Sequence, residues 1–216
     1  VFVFFALQSG DDALQRRAMM QYVESGLAQI EAPQYHDYLA QHGSERARRR
    51  AAEFAAAPEP MRLALLGQLI DLDFGFQAHL ASGTAMEAEE QARWRELRAS
   101  HEAQLDRSFT WRYLHRGNEF DPVRMVSAAF LHGGFGHLLG NMVFLVLIGV
   151  LVEGALGAWR HLLLYVVGAF GASAASLAWH WGSPAAGLGA SGAVAAIMGA
   201  YCVLWGLRRV RFFYWF

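Results

Sequence analysis

The chain has 216 residues, 55% of them apolar and 17% charged, with a net charge of −1. That composition excludes a disordered chain and offers no basic surface to a polyanion, so no nucleic-acid partner is expected. The single cysteine, Cys202, excludes an internal disulfide framework and a multi-cysteine zinc site. The averages conceal a division. From Asp11 to Arg124 there are 14 Arg and 18 Asp or Glu, whereas from Met125 to Leu207 the only charged residues are Glu153 and Arg160.

The first element, Val1 to Leu7, is an apolar heptad. A spanning helix needs about 20 residues, so residues 1–8 read as the end of a truncated first transmembrane helix. Residues 9–124 read as a long extracytoplasmic helical loop or insert. Ser9 or Asp11 is expected to cap its first helix. Leu14, Met19, Tyr22, Val23, Leu27 and Ile30 recur at roughly helical spacing. Pro33, and then Pro58 with Pro60, are expected to divide the following helices. Met61 to Leu72 places Leu63, Leu66, Leu69 and Ile70 on one side, and Glu87 to Phe109 is a charged helix carrying Trp94, Leu97 and Leu105. The run Glu45 to Arg50 reads as a solvated helix face, because acidic neighbours cancel its charge. His36, His42, His79, His101 and His115 lack ligand spacing and read as surface or packing residues.

Residues 125–207 then hold three apolar segments, roughly His137 to Leu156, His161 to Trp181 and Gly189 to Leu207. Each is near the length that crosses a hydrocarbon core of about 30 Å. Arg160 between the first two, and Arg208, Arg209 and Arg211 after the third, put those ends in the cytoplasm. Residues 208–216 are then a cytoplasmic loop, and the insert faces outward with the loop before Gly189. Gly168, Ala172 and Ser176, and likewise Gly192, Ala196 and Ala200, are four apart and suit close helix contact in lipid.

Polar groups in a span are costly and point to function. His137 and Asn141 are four residues apart, on one helix face near the start of the first of these spans. Glu153 lies near the inner end of the same span. Gly189-Ala190-Ser191-Gly192 opens the third at its outer end. A serine at a helix N-terminus, near imidazole and amide donors, is the layout that attacks a carbonyl and holds the resulting oxyanion.

These residues resemble the rhomboid family of intramembrane serine proteases. The stretch Phe130-Leu131-His132-Gly133-Gly134-Phe135-Gly136-His137-Leu138-Leu139-Gly140-Asn141-Met142 is similar to that family's loop and second-helix motif. Gly149, Glu153 and Gly157 match its Gly-x-x-x-Glu-x-x-x-Gly pattern, and Gly189 to Ala193 match its nucleophile motif. The resemblance implies an all-α fold, a polytopic membrane helix bundle with a long helical extramembrane domain. It implies Ser191 as nucleophile, with His137, Asn141 and the Ser191 N–H as the oxyanion hole. Structural roles fall to His132, Glu153, Gly189, Gly192 and Arg124, the last like the Arg of a Trp-Arg pair in the first loop. The implied substrates are single-span transmembrane proteins, cleaved near the outer membrane face by a Ser-His dyad without metal or cofactor. The implied setting is a bacterial inner membrane.

The chain also departs from the pattern. The dyad histidine belongs to a sixth span beyond Phe216, so these 216 residues alone are expected to be inactive, as a fragment cut at both ends. Position 123 is Val where Trp is usual, and Ala195 stands where many members carry an aromatic. The alternative reading is a catalytically inactive rhomboid-like protein that binds client membrane proteins. A histidine-based haem or metal site is the weakest reading, since His132 and His137 lie five apart with no second ligand pair.

Overall fold

A computed structural model describes the chain except for Pro60, Thr84, Asn118, residues 182–184 and residues 207–216. The first six of its helices are α1 (Phe2–Leu7), α2 (Asp11–Glu24), α3 (Leu27–His42), α4 (Glu45–Ala55), α5 (Met61–Ile70) and α6 (Phe74–Ala81). They are followed by α7 (Ala88–Leu105), α8 (Phe109–Tyr113), strand β1 (His115–Arg116) and α9 (Pro122–Ser127). A 3-10 turn (Ala128–Phe130) leads to α10 (Phe135–Leu156), α11 (Ala158–His180), strand β2 (Ala186–Gly187) and α12 (Ser191–Trp205). The two short strands are the exception to the all-α expectation among the described residues, and they pair antiparallel.

Three local expectations are corrected. Neither Ser9 nor Asp11 caps α2, whose N-cap is Gly10 at φ +92. The Asp11 carboxylate instead accepts the N–H groups of Phe109 and Thr110, at 2.9 and 2.6 Å, and so caps the distant α8. Pro33 does not divide a helix. It lies inside α3, and the break falls earlier, at Ser25 and Gly26, where Gly26 takes φ +89. A left-handed turn at glycine ends a helix more sharply than a proline whose lost N–H removes one bond. The third apolar segment becomes helical only at Ser191, because Gly189 at φ +119 turns the chain first. Its expected end at Leu207, and Arg208, Arg209 and Arg211, lie outside the described residues.

The insert has its own core. Tyr22, Leu27, Tyr35, Ile70, Phe76 and Leu80 are fully or almost fully buried in it. A polar network runs through the same core. Glu31, wholly buried, accepts from Trp94 Nε1 at 2.8 Å and Tyr22 Oη at 3.1 Å, and faces Arg98 at 3.4 Å. Arg98 also meets buried Asp71 at 3.0 Å and Glu102 at 3.0 Å. His101 contacts Asp71 at 3.0 Å, so this histidine is part of a buried charge cluster. Burial holds the Glu31 carboxyl above its ordinary range despite the Arg98 charge. Burial alone would push the Arg98 guanidinium down, but Asp71 and Glu31 outweigh it and hold it above its ordinary value.

The second core is that of the apolar half. Val152, Tyr165, Ala169, Ala190, Ala193 and Ile197 form it where α10, α11 and α12 meet. The helices touch through small residues: a Cβ on Gly168 would lie 2.5 Å from the Ala196 Cβ. That is the close backbone approach used by helices in lipid. Helices α10 and α11 are long and apolar enough to cross a membrane. Val146, Val150, Leu163 and Val167 are exposed on them, as lipid-facing residues are. Only Gly157, at φ +82, separates these two helices.

Candidate active site

The site forms where the start of α10 meets the start of α12. A cleft of about 380 Å³ is walled by Gly136, His137, Asn141, Ser191, Val194 and Ala195, among others. The structure therefore brings together the three residues singled out for chemistry, Ser191, His137 and Asn141.

Each is placed by an identifiable local cause. Ser191 is the first residue of α12, and its N-cap is Ala190, which has no side-chain oxygen to offer the first turn. Among the described residues no side chain caps the first α12 N–H groups, which suits them to face an anion. Ser191 is exposed to the cleft, while Ala190 beneath it is fully buried and fixes the turn. Gly189 precedes them, with its N–H bonded to the Ala128 carbonyl at 2.8 Å. A Cβ on Gly189 would sit 2.6 Å from His137 Cε1 and 2.7 Å from Nε2. Glycine is therefore required there twice, for its φ of +119 and for the contact. That contact sets the His137 ring beside the backbone two residues before Ser191.

The His137 ring is oriented by its other nitrogen. The Gly133 N–H donates to Nδ1 at 3.4 Å, so the neutral ring carries its proton on Nε2. Nε2 is then a hydrogen-bond donor, as an oxyanion site needs. Asn141 is buried, and its Nδ2 donates to the His137 carbonyl at 3.0 Å. The second Nδ2 hydrogen is not used by that bond.

The residues expected to be structural are also placed. His132 is 2% exposed, and its ring meets the His137 ring edge-on with centroids 5.2 Å apart. Burial first, and the His137 ring second, lower the His132 pKa and keep the ring neutral. Its backbone is clamped by Gln8: the His132 N–H donates to Oε1 at 3.0 Å and Nε2 donates to the His132 carbonyl at 3.1 Å. Nothing in the sequence marked Gln8, because the clamp joins positions 124 residues apart. Arg124, on α9, pairs with Glu119 at 2.9 Å and Asp121 at 3.4 Å. Glu153 is exposed near the end of α10, with no side-chain hydrogen bond among the described residues, and lies apart from the cleft. Gly192 packs against Ala172 of α11. His180 is held by the Ser176 carbonyl at 2.9 Å, and His161 packs beside Gly149 on α10. Neither His180 nor His161 is among the described residues that line the cleft. A larger hollow of about 700 Å³ lies in the insert between α3, α4 and α5, and its described walls carry no serine, threonine or cysteine.

Membrane-length apolar helices, with serine, imidazole and amide groups converging at two helix ends, define a helical membrane bundle with a polar cleft. Residues 119–216 match the Rhomboid domain family, so that segment is similar to a rhomboid domain. Among curated proteins it is similar to RHOMBOID-like protein 5 of Arabidopsis thaliana, 39% identical over 82 residues, which are 38% of this chain and 26% of that protein. RHOMBOID-like protein 6, mitochondrial, of the same plant is 36% identical over 90 residues, covering 42% and 28%. RHOMBOID-like protein 4 is 41% identical over 76 residues, covering 35% and 19%. The matched segment thus spans about a quarter or less of these relatives. No solved structure matches.

Proposed function

We propose that the protein is an intramembrane serine endopeptidase that cleaves single-span transmembrane proteins near the outer membrane face. The observation that carries this reading is the shared cleft of Ser191, His137 and Asn141 at the uncapped start of α12. Ser191 Oγ attacks the scissile carbonyl, and its proton passes to a histidine that lies beyond these 216 residues. The oxyanion is held by the Ser191 N–H, His137 Nε2–H and Asn141 Nδ2–H. The leaving amine takes the proton, and water then hydrolyses the acyl-enzyme by the same route. His132, Arg124, Gly189 and Gly192 support the geometry, and no metal or cofactor takes part. The same reading puts the chain in a bacterial plasma membrane. The named relatives are plant proteins, so fractionation of the native cells checks that point.

The test is Ser191→Ala in the full-length protein, with a single-span reporter in vesicles. Cleavage is lost if Ser191 is the nucleophile. Unchanged cleavage refutes the reading. Failure of wild-type Ser191 to label with a fluorophosphonate favours the inactive, client-binding alternative.

A further inference from the structure

We propose that the helical insert is a positioning element of the Ser191 site, acting through the β1–β2 ladder on the loop that enters α12. The proposal rests on the serine-protease reading above. Strand β1 pairs with β2 in the register His115 to Gly187 and Arg116 to Ala186. The Gly117 N–H donates to the Ala185 carbonyl at 2.7 Å and extends the ladder. Gly187 lies only four residues before Ser191 and two before Gly189, the residue in contact with His137. The position of β2 therefore sets how Ser191 meets His137.

A ladder this short does not hold itself together in water. It persists only if each strand is fixed from outside. Strand β1 is fixed by the insert. The Arg116 guanidinium lies over the Trp111 ring at 4.6 Å and the Phe74 ring at 5.3 Å, and donates to the Trp111 carbonyl at 3.4 Å. Trp111 belongs to α8, whose start is capped by Asp11 and by Ser108. The Tyr113 carbonyl accepts from Ser127 Oγ at 2.9 Å. The other wall of the site is tied to the same region, since Gln8 bridges the His132 backbone and the Thr110 hydroxyl, the latter at 2.8 Å. Two seams from one element thus reach both halves of the cleft. Arg116 and Gly187 are positioning residues, since neither lines it.

Two variants of the full-length protein test this. In an antiparallel ladder that pairs Gly117 with Ala185, the Gly187 N–H is the next donor, and Gly187→Pro removes it. Arg116→Met removes the cation from the two rings while keeping most of the volume. Each is expected to lower kcat at least tenfold with KM within twofold, and to slow fluorophosphonate labelling of Ser191 in parallel. Arg116→Lys, which keeps a cation over the rings, recovers at least half of the loss. If Gly187→Pro does not fold, the Arg116 pair decides alone. If Ser191→Ala is inactive while the seam variants keep kcat within twofold, the positioning role is overturned and the protease reading stands. If Ser191→Ala still cleaves, the protease reading itself has failed.

Discussion

Replacing Arg98 by Met removes the guanidinium that lies between two buried carboxylates of the insert. Arg98 is 5% exposed, and its partners Glu31 and Asp71 are 0% and 2% exposed. Its contacts to them are 3.4 and 3.0 Å, and the third, to half-exposed Glu102, contributes little. Breaking a buried pair from one side leaves uncompensated charge and costs about 3–5 kcal/mol. For a domain of roughly 100 residues each kcal/mol moves the melting midpoint by about 4–8 °C, so a fall of at least about 12 °C is expected. The assay is thermal unfolding by circular dichroism in detergent, with hydrogen exchange of the α2, α5 and α7 amides to localise the loss. The pH dependence follows from Glu31. Its carboxyl is already held above the ordinary range by burial, and loss of Arg98 raises it further. A group with a raised folded pKa favours the fold more as pH falls, so the deficit is larger at pH 8 than at pH 5. Glu31→Gln in the Arg98→Met background recovers part of it at pH 8. A deficit below 1 kcal/mol, or one independent of pH, refutes the assignment of this cluster as charged and mutually compensated.

Gly189→Ala is expected to abolish cleavage while the insert unfolds as in wild type, because the new Cβ would lie 2.6 Å from His137 Cε1 at φ +119; kcat and the melting midpoint together check this. Gly168→Val wedges α11 from α12 at a point where even a Cβ would lie 2.5 Å from Ala196, and overpacking of this kind costs about 1–3 kcal/mol. Detergent-titrated unfolding reads that loss, and Gly171→Val, at a site with nothing within 4 Å, is the neutral control. His132 and His115 both have pKa values lowered by burial, so the unfolded chain binds protons that the fold refuses. Their contribution to stability is complete above the ordinary value near 6.5 and is lost as pH falls below it. His132→Asn should reduce that slope between pH 7.5 and 5.5, and an unchanged slope would show that His132 is not held neutral.

The sequence by itself determined the helical character of both halves and singled out three residues that share the cleft, Ser191, His137 and Asn141. Helical period, span length and the i, i+4 placement of His137 and Asn141 are local properties, and they do not depend on what packs against them. The α-helical insert likewise followed from its apolar spacing. Tertiary structure decided what crosses between distant positions. Asp11 looked like a cap for its own helix and caps α8, because the competing N–H groups are brought to it by packing. Gln8 carried no pattern, yet holds the His132 backbone. His101 looked isolated and sits against Asp71 in a buried cluster. The two-residue ladder between β1 and β2 is too short to leave a period-two signal, so only the folded chain reveals that the insert is stitched to the loop before Ser191.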